Sequence, residues 1–250
     1  MQKTVLVTGS SRGLGAIIAK QFGEKGYRVI VNYFRNEEKA MQVVEEIGKD
    51  RAIAIKADVR DKQQVEAMIL EAIKQFGPIE VVVNNALINF EFNPVTQKKV
   101  EELNWENYNE QFEGTVQSAL NVIQTVLPEM KRARYGRIIN IGTNLFQNPV
   151  VPYHQYTTAK AALIGFTRNM AKELGTYGIT VNMVSGGLLQ KTDASAATTP
   201  EVFDLIATSS PLNRVTEPAD VAEVVVFLGT EASRGITGQN IVVDSGLTMN

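Results

Sequence analysis

Short β-branched runs alternate with longer amphipathic stretches from the first residues to the last. The runs fall at 4–8, 28–33, 52–57, 80–84, 137–141, 180–184 and 240–244, and their length and composition predict seven strands. Between them, apolar residues recur with helical spacing over 14–25, 37–49, 62–76, 105–132, 156–174 and 219–228. Gly26, Gly48, Gly77-Pro78, Gly175 and Gly178 stand where those helices should stop. Val116, Leu120, Ile123 and Leu127 form the stripe expected to face the core from the long central helix. Strands alternating with helices point to repeated βαβ units. They predict an α/β fold with a doubly wound sheet of about seven parallel strands, helices on both faces, and one domain spanning 1–250. The least regular stretch, 185–211, is rich in small polar residues. Following a strand's carboxyl end, it predicts a mobile loop over a ligand site.

Composition narrows the function. With 25 Lys+Arg against 27 Asp+Glu, the formal net charge of −2 offers no basic excess for a nucleic-acid backbone. The absence of cysteine excludes disulfides, thiolate metal sites and a cysteine nucleophile, and a single histidine, His154, cannot build a multi-histidine metal centre. The start, Met1-Gln2-Lys3, leads directly into a strand pattern, and no apolar run reaches the ~20 residues a membrane helix needs. A cytoplasmic protein is expected, with neither nucleic acid nor membrane as partner.

Directly after the first strand comes Thr8-Gly9-Ser10-Ser11-Arg12-Gly13-Leu14-Gly15, which runs on into a helix. Glycines in a strand-to-helix turn let backbone N–H groups and the helix N-terminus approach a pyrophosphate, so the turn predicts dinucleotide binding through Gly9, Ser11, Arg12, Gly13, Leu14 and Gly15. The second strand ends Asn32-Tyr33-Phe34-Arg35-Asn36, with no acid before Glu37. An acid there would bind the ribose hydroxyls of NAD, whereas Arg12 and Arg35 suit the 2′-phosphate of NADP(H), with Tyr33 beside them.

At 156 and 160 a tyrosine and a lysine share a helix face, and an ammonium near a phenol lowers the phenol's pKa from its usual ~10. These residues, together with the phosphate loop, resemble the short-chain dehydrogenase/reductase family, and the resemblance runs over essentially the whole chain. Thr8 to Gly15 is similar to the family's T-G-x-x-x-G-x-G loop, Tyr156-Thr-Thr-Ala-Lys160 to its Y-x-x-x-K signature, and Asn84-Asn85-Ala86 to its N-N-A-G motif. Asp58-Val59 resembles the pair that faces adenine, and the run from Ile236 to Asp244 the final strand. The 3-oxoacyl-[acyl carrier protein] reductase-like members are the nearest subgroup. The resemblance implies a Rossmann-type fold and NADP(H)-dependent reduction of a ketone. It assigns catalysis to Thr143, which stands thirteen residues before Tyr156 where the family has serine, to Tyr156 as proton donor, and to Lys160. It adds Asp58, Val59, Asn85, Ala86, Gly187 and Thr192 to the cofactor contacts and implies a homotetramer or dimer.

The chain departs from the family pattern at several points. Thr115 falls where a relay asparagine is implied, with Asn109 and Asn121 nearby in the same helix. Leu87 replaces the glycine of N-N-A-G, and Gly186-Gly187 the usual Pro-Gly. Lys131-Arg132-Ala133-Arg134 is a candidate docking point for an acidic acyl carrier protein, although Tyr177 stands where the family's reductases use an arginine. Two alternatives therefore stay open. Tyr153, seven residues before Lys160, matches the Y-x6-K spacing of the family's enoyl reductases, and a cofactor-binding sensor or assembly protein with little turnover would need no relay. Trp105 reads as packing or an interface anchor, and His154 as exposed beside the pocket.

Overall fold

The computed structural model describes residues 2–90, 92–93, 96–190, 192, 195 and 198–249. β-Branched residues dominate the strands β1 (Thr4–Val7), β2 (Arg28–Tyr33), β3 (Ala52–Lys56), β4 (Val81–Asn84), β5 (Gly136–Thr143), β6 (Ile179–Gly186) and β7 (Asn240–Val243). All neighbouring strands pair in parallel, in the order β3-β2-β1-β4-β5-β6-β7. The chain therefore runs outward in one direction from β1 and in the other from β4, and the loops leaving the carboxyl ends of these two strands part. That reversal is where open parallel sheets bind ligands.

The helices are α1 (Gly13–Glu24), α2 (Glu37–Ile47), α3 (Lys62–Phe76), α4 (Trp105–Phe112), α5 (Ser118–Ala133), α6 (His154–Leu174), α7 (Pro200–Ser209) and α8 (Pro218–Leu228). Local chemistry sets their starts. Asn36 accepts from the Lys39 N–H at 3.0 Å, and Asp61 from Gln63 and Gln64 at 2.9 and 3.2 Å, the side-chain capping that an exposed helix start requires. Because successive strand residues face opposite ways, Val5 and Val7 pack with Ile18, Phe22 and Val225 on one face, and Leu6 with Met68, Val122 and Val126 on the other. Among the described residues, no helix is long and apolar enough to cross a membrane.

Three expectations need correction. The helix expected over 105–132 is broken by a π-helical turn, Glu113–Gln117. There the Ser118 hydroxyl donates to the Glu113 carbonyl at 2.8 Å, and Gly114 passes so close to Ile88 that a Cβ would stand 2.8 Å from the Ile88 Cβ. The buried stripe of α5 is Ala119, Val122, Ile123, Val126 and Met130, with Val116, Leu120 and Leu127 only partly covered. The stretch 185–211 is not a continuous loop, because Pro200 at the first helical position and Glu201 in the first turn start α7. Within that stretch, 191, 193–194 and 196–197 lie outside the described residues.

Polar side chains inside the sheet tie strands to helix. Asn140, fully buried in β5, accepts from Asn84 Nδ2 of β4 at 2.8 Å and donates to the Thr167 hydroxyl of α6 at 2.9 Å. Truncation would leave two buried groups unpaired. Asn140→Ala is therefore expected to cost roughly 3 kcal/mol in denaturant unfolding and Thr167→Val about 1 kcal/mol. Losses below about 0.5 kcal/mol in both would show that these contacts do not form in solution.

Candidate active site

The phosphate-type loop between β1 and α1 is held from below and from the side. Gly9 N–H donates to the side chain of Asn32 at 3.0 Å, and Asn32 Nδ2 in turn reaches the Ala57 carbonyl at 3.1 Å. On the β4 side, the Thr8 hydroxyl accepts from the N–H groups of Asn85 and Ala86 at 2.9 and 3.1 Å, while Asn85 Nδ2 donates to the carbonyls of Thr8 and Gly9 at 2.9 and 3.2 Å. Gly9 has φ +62°, and a Cβ there would lie 2.8 Å from the Ala86 Cα, so conformation and space both demand glycine. Gly13 has φ +57° with nothing within 4 Å of where a Cβ would be, so conformation rather than space calls for glycine there, and it lines the cavity beside the turn. Leu14 packs its side chain toward the core, and Gly15 is buried against Asn85.

A cavity of about 280 Å³ opens beside this turn. Ser11, Arg12 and Gly13 line it with Lys20 and Lys39, and so does Thr192, which reaches the phosphate loop from the far side of the fold. Thr192 is fixed by Ser195, whose N–H donates to the Thr192 hydroxyl at 3.1 Å. Arg35 instead donates to Asn89 at 3.3 Å and lies over the Phe34 ring. Tyr33 is hydrogen-bonded to Glu37, and burial together with that carboxylate raises its pKa. An acid thus reaches the end of β2 from the first turn of α2, where the sequence suggested none. Asp58 is clasped by Arg60, with Nη2 2.7 Å from Oδ2 and Nε 3.0 Å from Oδ1, and this pairing holds its carboxyl below the usual range. Val59 lines a second, smaller cavity. Gly187, just beyond β6, sits so close to Asp244 and Asn144 that a Cβ would stand 2.9 Å from the Asp244 Cβ. Those two residues are joined at 2.9 Å and close the carboxyl ends of β5 and β7 together.

At the end of β5, Thr143 is hydrogen-bonded to the phenol of Tyr156, and both are buried. Lys160, one turn further along α6 and 4% exposed, donates to the Ile141 carbonyl at 2.7 Å, with its amine 5.9 Å from the Tyr156 ring centre. Burial outweighs the expected lowering of the phenol. The Tyr156 pKa is raised by desolvation, the Thr143 bond opposing only in part, and burial brings Lys160 down to about 8. Lys160, Asn84 and Thr115 share the lining of the smaller cavity, whose volume of about 10 Å³ is the size of a single water. Asn84 Oδ1 is buried there without a hydrogen-bond partner among the described residues. Thr115 enters through the π turn, a feature common at functional sites. Asn109 is engaged with Glu113 at 2.8 Å, and Asn121 with the carbonyls of Val59 and Arg60 at 3.1 and 3.0 Å. Neither asparagine lines the cavity.

Sequence reasoning missed Asn32, Asn140 and the Asn144–Asp244 pair. For Asn32 and Asn140 the available signal was an asparagine within a strand that is mostly apolar. Among the other residues singled out, Trp105 is 71% exposed and stacked on Tyr108, and His154 opens α6 half-buried. In the basic cluster, Arg132 pairs with Glu129 at 2.9 Å and Lys131 lies over the Tyr177 ring.

A seven-stranded doubly wound sheet with a glycine turn after β1 and a Thr143-Tyr156-Lys160 group at its carboxyl edge defines the class of nicotinamide-dependent oxidoreductases. A family model described as enoyl-(acyl carrier protein) reductase matches residues 9–248. A 3-oxoacyl-[acyl-carrier-protein] reductase FabG from Staphylococcus aureus is 40% identical over 252 residues, covering 100% of this chain and 99% of that protein. A solved chain from Agrobacterium tumefaciens, described as a candidate gluconate dehydrogenase, superposes with a TM-score of 0.89 at 30% identity over 98% of this chain and 95% of its own. A double mutant of a short-chain dehydrogenase/reductase from Serratia marcescens gives 0.84 at 28% identity, covering 98% and 97%. The chain belongs to the short-chain dehydrogenase/reductase family.

The buried amine gives a pH signature. Lys160 titrates from 10.5 in the unfolded chain down to about 8 when folded, so between those values the unfolded state binds more protons and stability rises with pH. Tyr156 acts oppositely, but only above about pH 10, where the unfolded phenol ionises. Between about pH 7 and about pH 9.5 the wild type is therefore expected to gain on the order of 2 kcal/mol over Lys160→Met in unfolding free energy. A constant difference would mean that the amine is solvated.

Proposed function

We propose that the chain is an NADP(H)-dependent carbonyl reductase that converts a ketone of the 3-oxoacyl type into an alcohol. The observation that supports this most is the meeting of Thr143, Tyr156 and buried Lys160 at the carboxyl end of β5. The printed name of the Staphylococcus aureus relative points to the same substrate class.

The residues present fit a dinucleotide, since the glycine turn opens onto a cavity of about 280 Å³ that carries Ser11, Arg12, Lys39 and Thr192. Gly9, Ser11, Arg12, Gly13, Gly15 and Thr192 would hold its phosphates, with the start of α1 favouring their charge. Tyr33 and Arg35 would meet the adenosine ribose, Asp58 and Val59 the adenine, and Asn85, Ala86 and Gly187 the remaining length. Tyr156 and Lys160 would meet the nicotinamide ribose. The bound cofactor supplies the hydride.

The chain's own groups manage the proton. Burial keeps Tyr156 neutral, so its Oη holds a proton until the carbonyl oxygen turns basic, and then delivers it to that oxygen. The Thr143 hydroxyl donates to the same oxygen and orients it. Lys160, whose pKa burial brings to about 8, would return a proton to Tyr156 and take its own from solvent by way of the polar cavity it shares with Asn84 and Thr115.

Thr143→Ser is expected to retain turnover and Thr143→Val to lose ~10²-fold or more, the scale of removing one preorganised donor to a developing oxyanion. Tyr156→Phe is expected to abolish ketone reduction, while Tyr153→Phe mainly raises KM, with cofactor affinity little changed in either. One observation favours a second reading, reduction of a trans-2-enoyl thioester: the matching family model is described by that activity. Feeding a 3-oxoacyl and a trans-2-enoyl thioester to the wild type and both tyrosine variants separates the two. Reduction of the enoyl substrate alone, lost in Tyr153→Phe and kept in Tyr156→Phe, would move the proton donor to Tyr153. NADPH binding with neither substrate turned over would favour a sensor.

Cofactor choice rests on Arg12 and Arg35 against Glu37. NADPH is expected to bind at least several-fold tighter than NADH in fluorescence titration, with the ratio falling in Arg35→Ala and rising in Glu37→Gln. Equal affinities, or a ratio indifferent to both changes, would show that these charges serve only the surface.

A further inference from the structure

The segment leaving β4 carries two phenylalanines, and both close on the phenol of Tyr156. The Phe90 ring lies nearly parallel to the Tyr156 ring, with centres 4.7 Å apart and planes at 21°. Phe92 meets the same ring edge-on at 5.0 Å and 83°. Tyr153 completes the group, presenting T-shaped contacts to Phe90 at 5.4 Å and to Phe92 at 5.5 Å. Rings from two distant stretches of chain thus pack around the Tyr156 ring, and Tyr153 and Tyr156 are each only 6% exposed.

Two facts separate this group from ordinary core. Neither phenylalanine belongs, among the described residues, to the buried clusters that pack the helices on the sheet. The backbone just before Phe90 is also fixed by specific bonds. The Ile88 carbonyl accepts from Gln111 Nε2 at 3.1 Å, Asn89 Nδ2 donates to Glu110 at 2.9 Å, and Asn89 is held at φ +43°. Asparagine tolerates this left-handed conformation, and here it turns the backbone just ahead of Phe90 while its side chain anchors the segment to α4.

We propose that Phe90, Phe92 and Tyr153 form an aromatic recognition site for the substrate group next to the carbonyl, so that the protein selects flat, ring-conjugated 3-oxo compounds over saturated acyl chains. The proposal rests on the reading of Tyr156 as the proton donor. A substrate brought to the Tyr156 hydroxyl must displace or share the ring face that Phe90 now covers. A planar ring entering there restores face and edge contacts, each worth about two- to tenfold in affinity beyond the area it buries. A saturated chain of equal size recovers the area alone.

The test compares ethyl benzoylacetate with ethyl 3-oxononanoate, two 3-oxo esters with the same number of carbons. The two readouts are kcat/KM with NADPH and calorimetric affinity for the enzyme–NADP⁺ complex, in which no hydride is transferred. The wild type is expected to prefer the aryl ester about tenfold or more in both. Phe90→Leu and Phe92→Leu should each cut that preference several-fold, leave the aliphatic ester unchanged or improved, and keep NADPH affinity and the thermal midpoint. Equal handling of the two esters by the wild type, binding of neither, or an aryl preference that survives both leucine variants would overturn the proposal. Selective binding of the aryl ester without reduction of either would leave the recognition site standing and remove the carbonyl-reductase reading. Efficient reduction of both without selectivity would do the reverse.

Discussion

Where the strand order reverses between β1 and β4, two loops must separate while the backbone groups at their roots still need partners. The Thr8 hydroxyl and the Asn85 amide meet that need, the first accepting from two N–H groups of the β4 loop and the second donating to two carbonyls of the β1 loop. Leaving such groups unpaired in a half-buried site would cost a few kcal/mol. Much of the site depends on this clasp. It sets the height of Gly9 against Ala86, hence the turn through Gly13 and Gly15 into α1, and it fixes the first residues of the segment that carries Phe90 and Phe92. Asn32 secures the same loop from β2, so the phosphate-type turn is bound on two sides and left open on one.

Around Tyr156 the deciding effect is burial. Placing a phenol and an amine one helical turn apart suggests mutual attraction, but each is almost fully covered, and removal from water disfavours the charged form of both. The phenol is thereby kept protonated and the ammonium made easy to discharge. Those are the forms that the proposed reduction would require of a proton donor and of the group that recharges it. The Ile141 carbonyl stabilises the lysine without a counter-charge, which would have pinned the amine in its charged form.

The strand pattern was legible because parallel strands buried on both faces must be nearly continuous in apolar β-branched residues; β2 and α3 agree with their sequence expectations end to end. The Thr143, Tyr156 and Lys160 group was legible because its spacing is carried by one helix and one strand end. Part of what escaped depends on contacts between segments far apart in the chain. The π turn is set by the Ile88 approach to Gly114. The same holds for the ring group, since nothing in the spacing of Phe90 and Phe92 announces that α6 will bring two tyrosines against them. Two other misses were local: α7 is announced by Pro200, Glu201 and the apolar Val202, Phe203, Leu205 and Ile206, and Glu37 reaches Tyr33 from only four residues on.

These contrasts divide the molecule by how tightly each part is constrained. Thr143, Tyr156 and Lys160 hang on β5 and α6, whose positions are fixed by the sheet and by the Asn84–Asn140–Thr167 ladder, so moving them would disturb the core. Phe90 and Phe92 hang on a segment held by side-chain bonds to α4, where a substitution alters the pocket and leaves the sheet untouched. On the proposed reading, proton chemistry would therefore sit on the part of the fold that tolerates least change, and the choice of what is brought to it on a part that tolerates more. Such a separation would let one scaffold hold a single reaction constant while its substrate varies.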